Sequence, residues 1–124
     1  MPFIRSTEAQ VHEIHGVRFH GYANTATGSQ EICAWRGEIP AGTAGQAHTI
    51  TKEEILYVLE GRLLFTLDGE RAELGPGDVL LANPGSVLCV DNEGAAPAAI
   101  WTTTSIGLEA VMADGSRLAP PWAN

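Results

Sequence analysis

Basic residues are scarce and scattered: seven lysines and arginines stand against fifteen acids, a net charge of −8 at neutral pH. Binding a phosphate backbone draws on several cations gathered on one face, so nucleic acid and anionic membrane surfaces are excluded as partners. Cysteine is nearly absent, and Cys33 and Cys89 lack the spacing of a metal site. They are expected to be thiols in a reducing compartment rather than a bridge. No apolar run approaches the roughly 20 residues that span a bilayer. The start, Met1-Pro2-Phe3-Ile4-Arg5, lacks the basic-then-apolar order of a secretory leader, and the expected location is the cytoplasm. Internal repeats, low-complexity tracts and sustained helical periodicity are missing as well, so no domain boundary is drawn.

What remains is a chain of 124 residues with an ordinary globular balance, 44% hydrophobic and 18% charged. Residues 1–124 form one expected domain, long enough to bury roughly two thirds of the unfolded surface. Glycine and proline punctuate short β-compatible runs: 31–39, 46–50, 55–59, 62–67, 71–74, 78–82, 87–91 and 98–105. Asp68-Gly69 between two such runs predicts a hairpin turn. Segment 11–22 reads as one or two strands, and Pro120-Pro121-Trp122 as an extended tail. Many short strands at this spacing indicate an all-β sandwich or barrel. Edge strands in so small a barrel commonly pair with a second copy, so a homodimer is expected.

Two spaced patterns carry a resemblance over roughly residues 30–105. In the first, Gly42 is followed by His48, Glu54 and Gly61; in the second, Gly75-Pro76-Gly77-Asp78 leads to Pro84-Gly85 and Asn92. Together they resemble the two motifs of the cupin superfamily, specifically a small single-domain member with a degenerate metal-binding motif. The resemblance implies a jelly-roll β-barrel with a small-molecule cavity. It also implies a metal site, and here the chain departs from the pattern. Ile50 stands where the second histidine of the first motif belongs, Leu88 where the histidine of the second belongs, and Asn83 where its first proline belongs.

Side chains alternate across a strand, and the resemblance assigns one face to the barrel interior. Gln46, His48 and Ile50 then share that face, as do Glu54, Leu56 and Val58, and Leu88, Val90 and Asn92. The expected cavity is apolar (Ile50, Leu56, Val58, Leu88, Val90) with Gln46, His48 and Glu54 as polar exceptions, the general form of a ligand site. The alternative is a filled core plugged by Ile50 and Leu88.

His48 and Glu54 are the candidate catalytic residues. As metal ligands they would need Gln46 or a histidine from His12, His15 and His20, since a catalytic ion takes about three protein ligands. Without a metal they form an acid–base pair, in which burial raises Glu54, lowers His48 and mutual attraction opposes both shifts. Such a pair suits isomerase, cyclase or lyase chemistry on a small apolar metabolite with no cofactor, and some cupins act as isomerases, epimerases and cyclases. The alternatives are a metal-dependent cupin such as a dioxygenase with an unusual ligand set, and a non-catalytic ligand-binding or structural barrel in which Glu54 pairs with Lys52, Arg62 or solvent. A one-residue register change would exchange Glu54 with Glu53. Trp35, Tyr57 and Trp101 are candidates for the cavity mouth, against a bland role as core or interface aromatics.

Overall fold

Turn residues cut the chain where the sequence predicts, and the pieces between them are strands. The computed structural model describes residues 2–124. The strands are β1 (Gln10–Ile14), β2 (Val17–Ala23), β3 (Ile32–Ile39), β4 (His48–Ile50), β5 (Glu54–Glu60) and β6 (Leu63–Leu67). There follow β7 (Glu70–Leu74), β8 (Val79–Ala82), β9 (Val87–Asp91), β10 (Ala98–Ser105), β11 (Ala110–Met112) and β12 (Arg117–Leu118). They assemble into two six-stranded antiparallel sheets, ordered β1-β2-β3-β10-β5-β8 and β12-β11-β4-β9-β6-β7. This is the double-sheet jelly roll expected of the sequence.

Two turns show why the strands end where they do. Asp68 and Gly69 both take positive φ, 50° and 84°, between Leu67 and its partner Glu70. That backbone twists with the flanking strands, as two-residue hairpins require. His15 and Gly16 do the same at 53° and 82°, which divides segment 11–22 into two strands.

The core lies between the sheets and is built in rows by strand pairing. Cys33, Thr104, Glu54 and Ala82 face one another across β3, β10, β5 and β8. The next row is Trp35, Thr102, Leu56 and Leu80. All eight are buried, and burial of this apolar surface, at about 25 cal/mol per Å², drives the sheets together. Glu54 is buried and Glu53 exposed, which fixes the register left open above. The Thr104 hydroxyl donates to the Glu53 carbonyl at 2.6 Å and holds that register at the strand's start.

The C-terminal segment departs from expectation. Pro120-Pro121-Trp122 does not run on as an extended tail: Pro121–Ala123 form a 3-10 turn, with Trp122 and Ala123 buried. Pro121, the first residue of the turn, lacks an N–H and presets φ, which suits that position. Backbone bonds from Gly107 to the Ala123 carbonyl (2.9 Å) and from Thr25 to that of Asn124 (3.3 Å) tie the segment across one end of the sandwich.

Candidate active site

A cavity of about 240 Å³ lies between the sheets. One wall comes from β3, β5 and β10, the opposite wall from β4, β9 and β11, and one end from the β1–β2 hairpin and the C-terminal turn. Of the residues that sequence parity turned inward, Gln46, His48, Glu54, Leu56, Leu88 and Val90 line it. Ile50 and Val58 do not. Both are fully buried, but they lie in core packing outside the cavity wall, a correction to their assignment as binding residues. Parity gives the face of a strand and says nothing of where along it the free space lies. Leu88 lines that space without filling it.

The buried polar residue Asn92 takes the inward face without lining the cavity. Its amide donates to the carbonyls of Ile39 and Ala96, both at 3.0 Å, and its carbonyl oxygen accepts from Gly94 at 3.1 Å. Every polar atom is satisfied, and the residue ties the turn after β9 to the end of β3.

Glu54 is the opposite case. Its residue is 6% exposed, and burial pushes its carboxyl up from 4.5 to about 7. No neighbouring charge or hydrogen bond contributes to that shift. The suggested partner Arg62 is bound instead to Glu73 at 2.6 Å. Near neutrality the group is therefore divided between acid and carboxylate, because removing water penalises the charge and nothing nearby compensates it. Its neighbour Cys33 is fully buried and pushed up to about 11, by burial and then by Glu54, so it is a poor nucleophile.

His48 opens β4 on the facing sheet, opposite Leu88 and Met112. Its Nδ1 lies 2.9 Å from the Gln46 carbonyl oxygen. A carbonyl only accepts, so Nδ1 must carry the proton, and in the neutral ring Nε2 keeps the lone pair. The expected mutual attraction of His48 and Glu54 is not found: Glu54 is shifted by burial alone. The two face one cavity from opposite sheets without pairing, which leaves room for a molecule between them.

The donor set does not fit a catalytic transition metal. Among the described residues no three His, Cys, Asp or Glu side chains come together as a metal site would require. Aliphatic side chains hold the other two motif positions, and a thiol or amide supplied from elsewhere does not complete the set. Of the N-terminal histidines, only His15 reaches the cavity lining. His12 packs its ring 5.5 Å from Trp122, and His20 pairs with Glu38.

The aromatic end was only partly legible. Trp35 lines the cavity as suggested, but Tyr57 and Trp101 do not: they are paired on the outer face of the sheet, where Trp101 packs against Tyr22. In their place stand Phe19 and Trp122, whose rings stack 4.1 Å apart at 6°, with Trp122 edge-on to Trp35 at 6.5 Å. Alternation of Val17 and Phe19 along β2 signals that Phe19 turns inward. No local pattern signals Trp122, because its place depends on a chain reversal around Pro120.

Comparison with known proteins agrees with this architecture. Residues 35–105 match the family model described as Cupin domain. An uncharacterised protein of Methanocaldococcus jannaschii is 40% identical over 60 residues, 48% of each chain, so the match spans about half of that relative's length. The polyketide cyclase RemF from Streptomyces resistomycificus superposes with a TM-score of 0.77 at 17% identity, covering 85% of this chain and 79% of that one. A predicted oxalate decarboxylase from Thermotoga maritima gives 0.74 at 20% identity, covering 84% and 98%. Similarity at these identities establishes the fold and leaves the chemistry to the site.

Proposed function

This chain belongs to the cupin domain family, and we propose on that premise that it is an enzyme moving protons on a small, largely apolar metabolite without a metal ion, in a reaction of isomerase, cyclase or lyase type. The observation that carries the proposal is Glu54: a carboxyl sealed in an apolar wall with a pKa of about 7, facing a cavity shared with His48. Structural carboxylates are paired or hydrated; one left near its titration point in a cleft is suited to proton transfer. In the proposed step, His48 Nε2 takes a proton from a substrate carbon or hydroxyl. Glu54 in its acid form delivers one to the oxygen or carbon that gains charge. Substrate and protein then hold the same total of protons, and a return transfer resets the pair. Burial keeps water from the Glu54 carboxyl, which strengthens its interaction with a bound substrate. A cyclase among the structural neighbours is compatible with this class of chemistry.

The test is turnover by purified protein and by His48→Ala and Glu54→Gln. Each substitution is expected to lower kcat by about 10² to 10⁴ with the fold retained, the usual scale of general acid–base catalysis. Unimpaired activity in either variant overturns the assignment. So does near-stoichiometric iron, manganese, nickel, copper or zinc in untagged protein. A ligand recovered unchanged after long incubation would favour a binding protein over an enzyme.

We also propose that the protein works as a homodimer in the cytoplasm. Ile55, Tyr57, Val79 and Leu81 pair as Ile55–Leu81 and Tyr57–Val79 on the outer face of β5 and β8, each 43–52% exposed. A contiguous apolar sheet face suits an isologous contact. Tyr57→Glu is expected to convert a dimer to a monomer in sedimentation, and a monomeric parent protein would refute the assembly. Both cysteines are free thiols, compatible with a reducing compartment. Recovery from a secreted fraction would contradict the location.

A further inference from the structure

The charge inventory of the cavity narrows what it can hold. Its lining has no lysine or arginine; its groups able to carry positive charge are His15, which is exposed, and His48. Its one carboxyl is Glu54, and the chain as a whole bears a net charge of −8. An anionic ligand would lose its hydration without gaining a counter-ion, and would meet a buried carboxyl of the same sign. The remaining lining is mostly apolar, with Thr43, Gln46 and Thr102 as uncharged polar exceptions, and at one end it is aromatic: Phe19, Trp35 and Trp122.

Size narrows it further. The free volume is about 240 Å³, whereas an apolar cavity of about 150 Å³ already takes benzene and drug-sized ligands occupy upward of about 300 Å³. One substituted ring or a fused pair fits. Flat rings suit an end wall made of stacked and edge-on aromatics, whose preferred contacts are offset-stacked or perpendicular. Glu54 offers a hydrogen-bond acceptor when ionised and also a donor when protonated. A hydroxyl is complementary to both forms.

Taking the cavity as the substrate site proposed above, we propose that it binds a one- or two-ring molecule that carries a hydroxyl and no negative charge, with the ring against Trp122 and the hydroxyl on Glu54. Trp122 then sets specificity from outside the family core, since it lies beyond residues 35–105. Its ring is brought to the cavity by the turn at Pro121–Ala123.

Two naphthalene derivatives of similar shape test this without turnover: the neutral naphthol and the anionic naphthoate. Binding is read by calorimetry at about pH 8, above the ordinary range of histidine. Naphthol is expected to bind at least about tenfold tighter than naphthoate, a difference of about 1.4 kcal/mol. Trp122→Ala, or Trp122→Leu if the alanine variant does not fold, is expected to weaken naphthol by about tenfold or more. Glu54→Gln, which removes the negative charge from the wall, is expected to narrow the margin of naphthol over naphthoate by about threefold or more. Naphthoate binding as tightly as naphthol overturns the proposal. So does naphthol failing to saturate the protein, or binding unchanged in a folded Trp122 variant. Because no reaction is measured, these results stand apart from the kinetic test of His48 and Glu54: catalysis can fail while the ligand class holds, and the reverse.

Discussion

Two buried polar positions at opposite ends of the sandwich show how differently one fold can treat them. Asn92 is 1% exposed and makes three hydrogen bonds, so its burial is structural. Glu54 is 6% exposed, faces the cavity and is shifted by burial alone. A satisfied polar group rigidifies the turn it ties, whereas an unpartnered one retains its bonding capacity for a ligand. The difference separates scaffold from site more sharply than burial does.

Removing the satisfied group gives the largest expected effect on stability. Asn92→Ala strands the carbonyls of Ile39 and Ala96 and the Gly94 amide, and is expected to cost about 3 to 4 kcal/mol. The measure is denaturant unfolding, with naphthol affinity of the folded fraction unchanged. A loss below about 1 kcal/mol would erase the contrast.

Glu54 is expected to behave in the opposite way, and its signature is pH dependence. Its folded pKa, about 7, lies above the ordinary 4.5. Between those values the native state binds more protons than the unfolded chain, so stability falls as pH rises through the window. A shift of that size corresponds to roughly 3 kcal/mol lost by the alkaline side of neutrality. Glu54→Gln carries no charge at any pH and is expected to flatten this slope, making the variant more stable than the parent above pH 7. Unfolding curves taken through the window check it, and a parent protein whose stability rises with pH there would show that Glu54 is compensated after all.

Much of the fold was legible because its determinants are local. Strand positions followed from alternating apolar residues, and the β6–β7 hairpin from Asp68-Gly69. The short strands β11 and β12 carried too little alternation to be read. The inward side chains of β4, β5 and β9 followed from period-two geometry joined to the spaced motifs. The same geometry overreached at Ile50 and Val58, whereas Tyr57 and Trp101 were expected at the cavity mouth from their residue type, against the parity of β5. Parity fixes which face a side chain takes only when the strand's starting register is right, and it carries no information about where packing leaves a void.

The sequence alone determined the donors available to this barrel: one histidine, one glutamate and aliphatics at the remaining motif positions, whatever the surroundings. It also determined the acidity of the chain and the run of turns that makes a jelly roll. Tertiary structure decided what those residues mean. Only the packing of β3, β10 and β8 around β5 dries Glu54 and denies it a partner, because desolvation is a property of everything nearby. Only the folding back of the last five residues brings Trp122 over the cavity, because that contact joins segments a hundred residues apart in the chain.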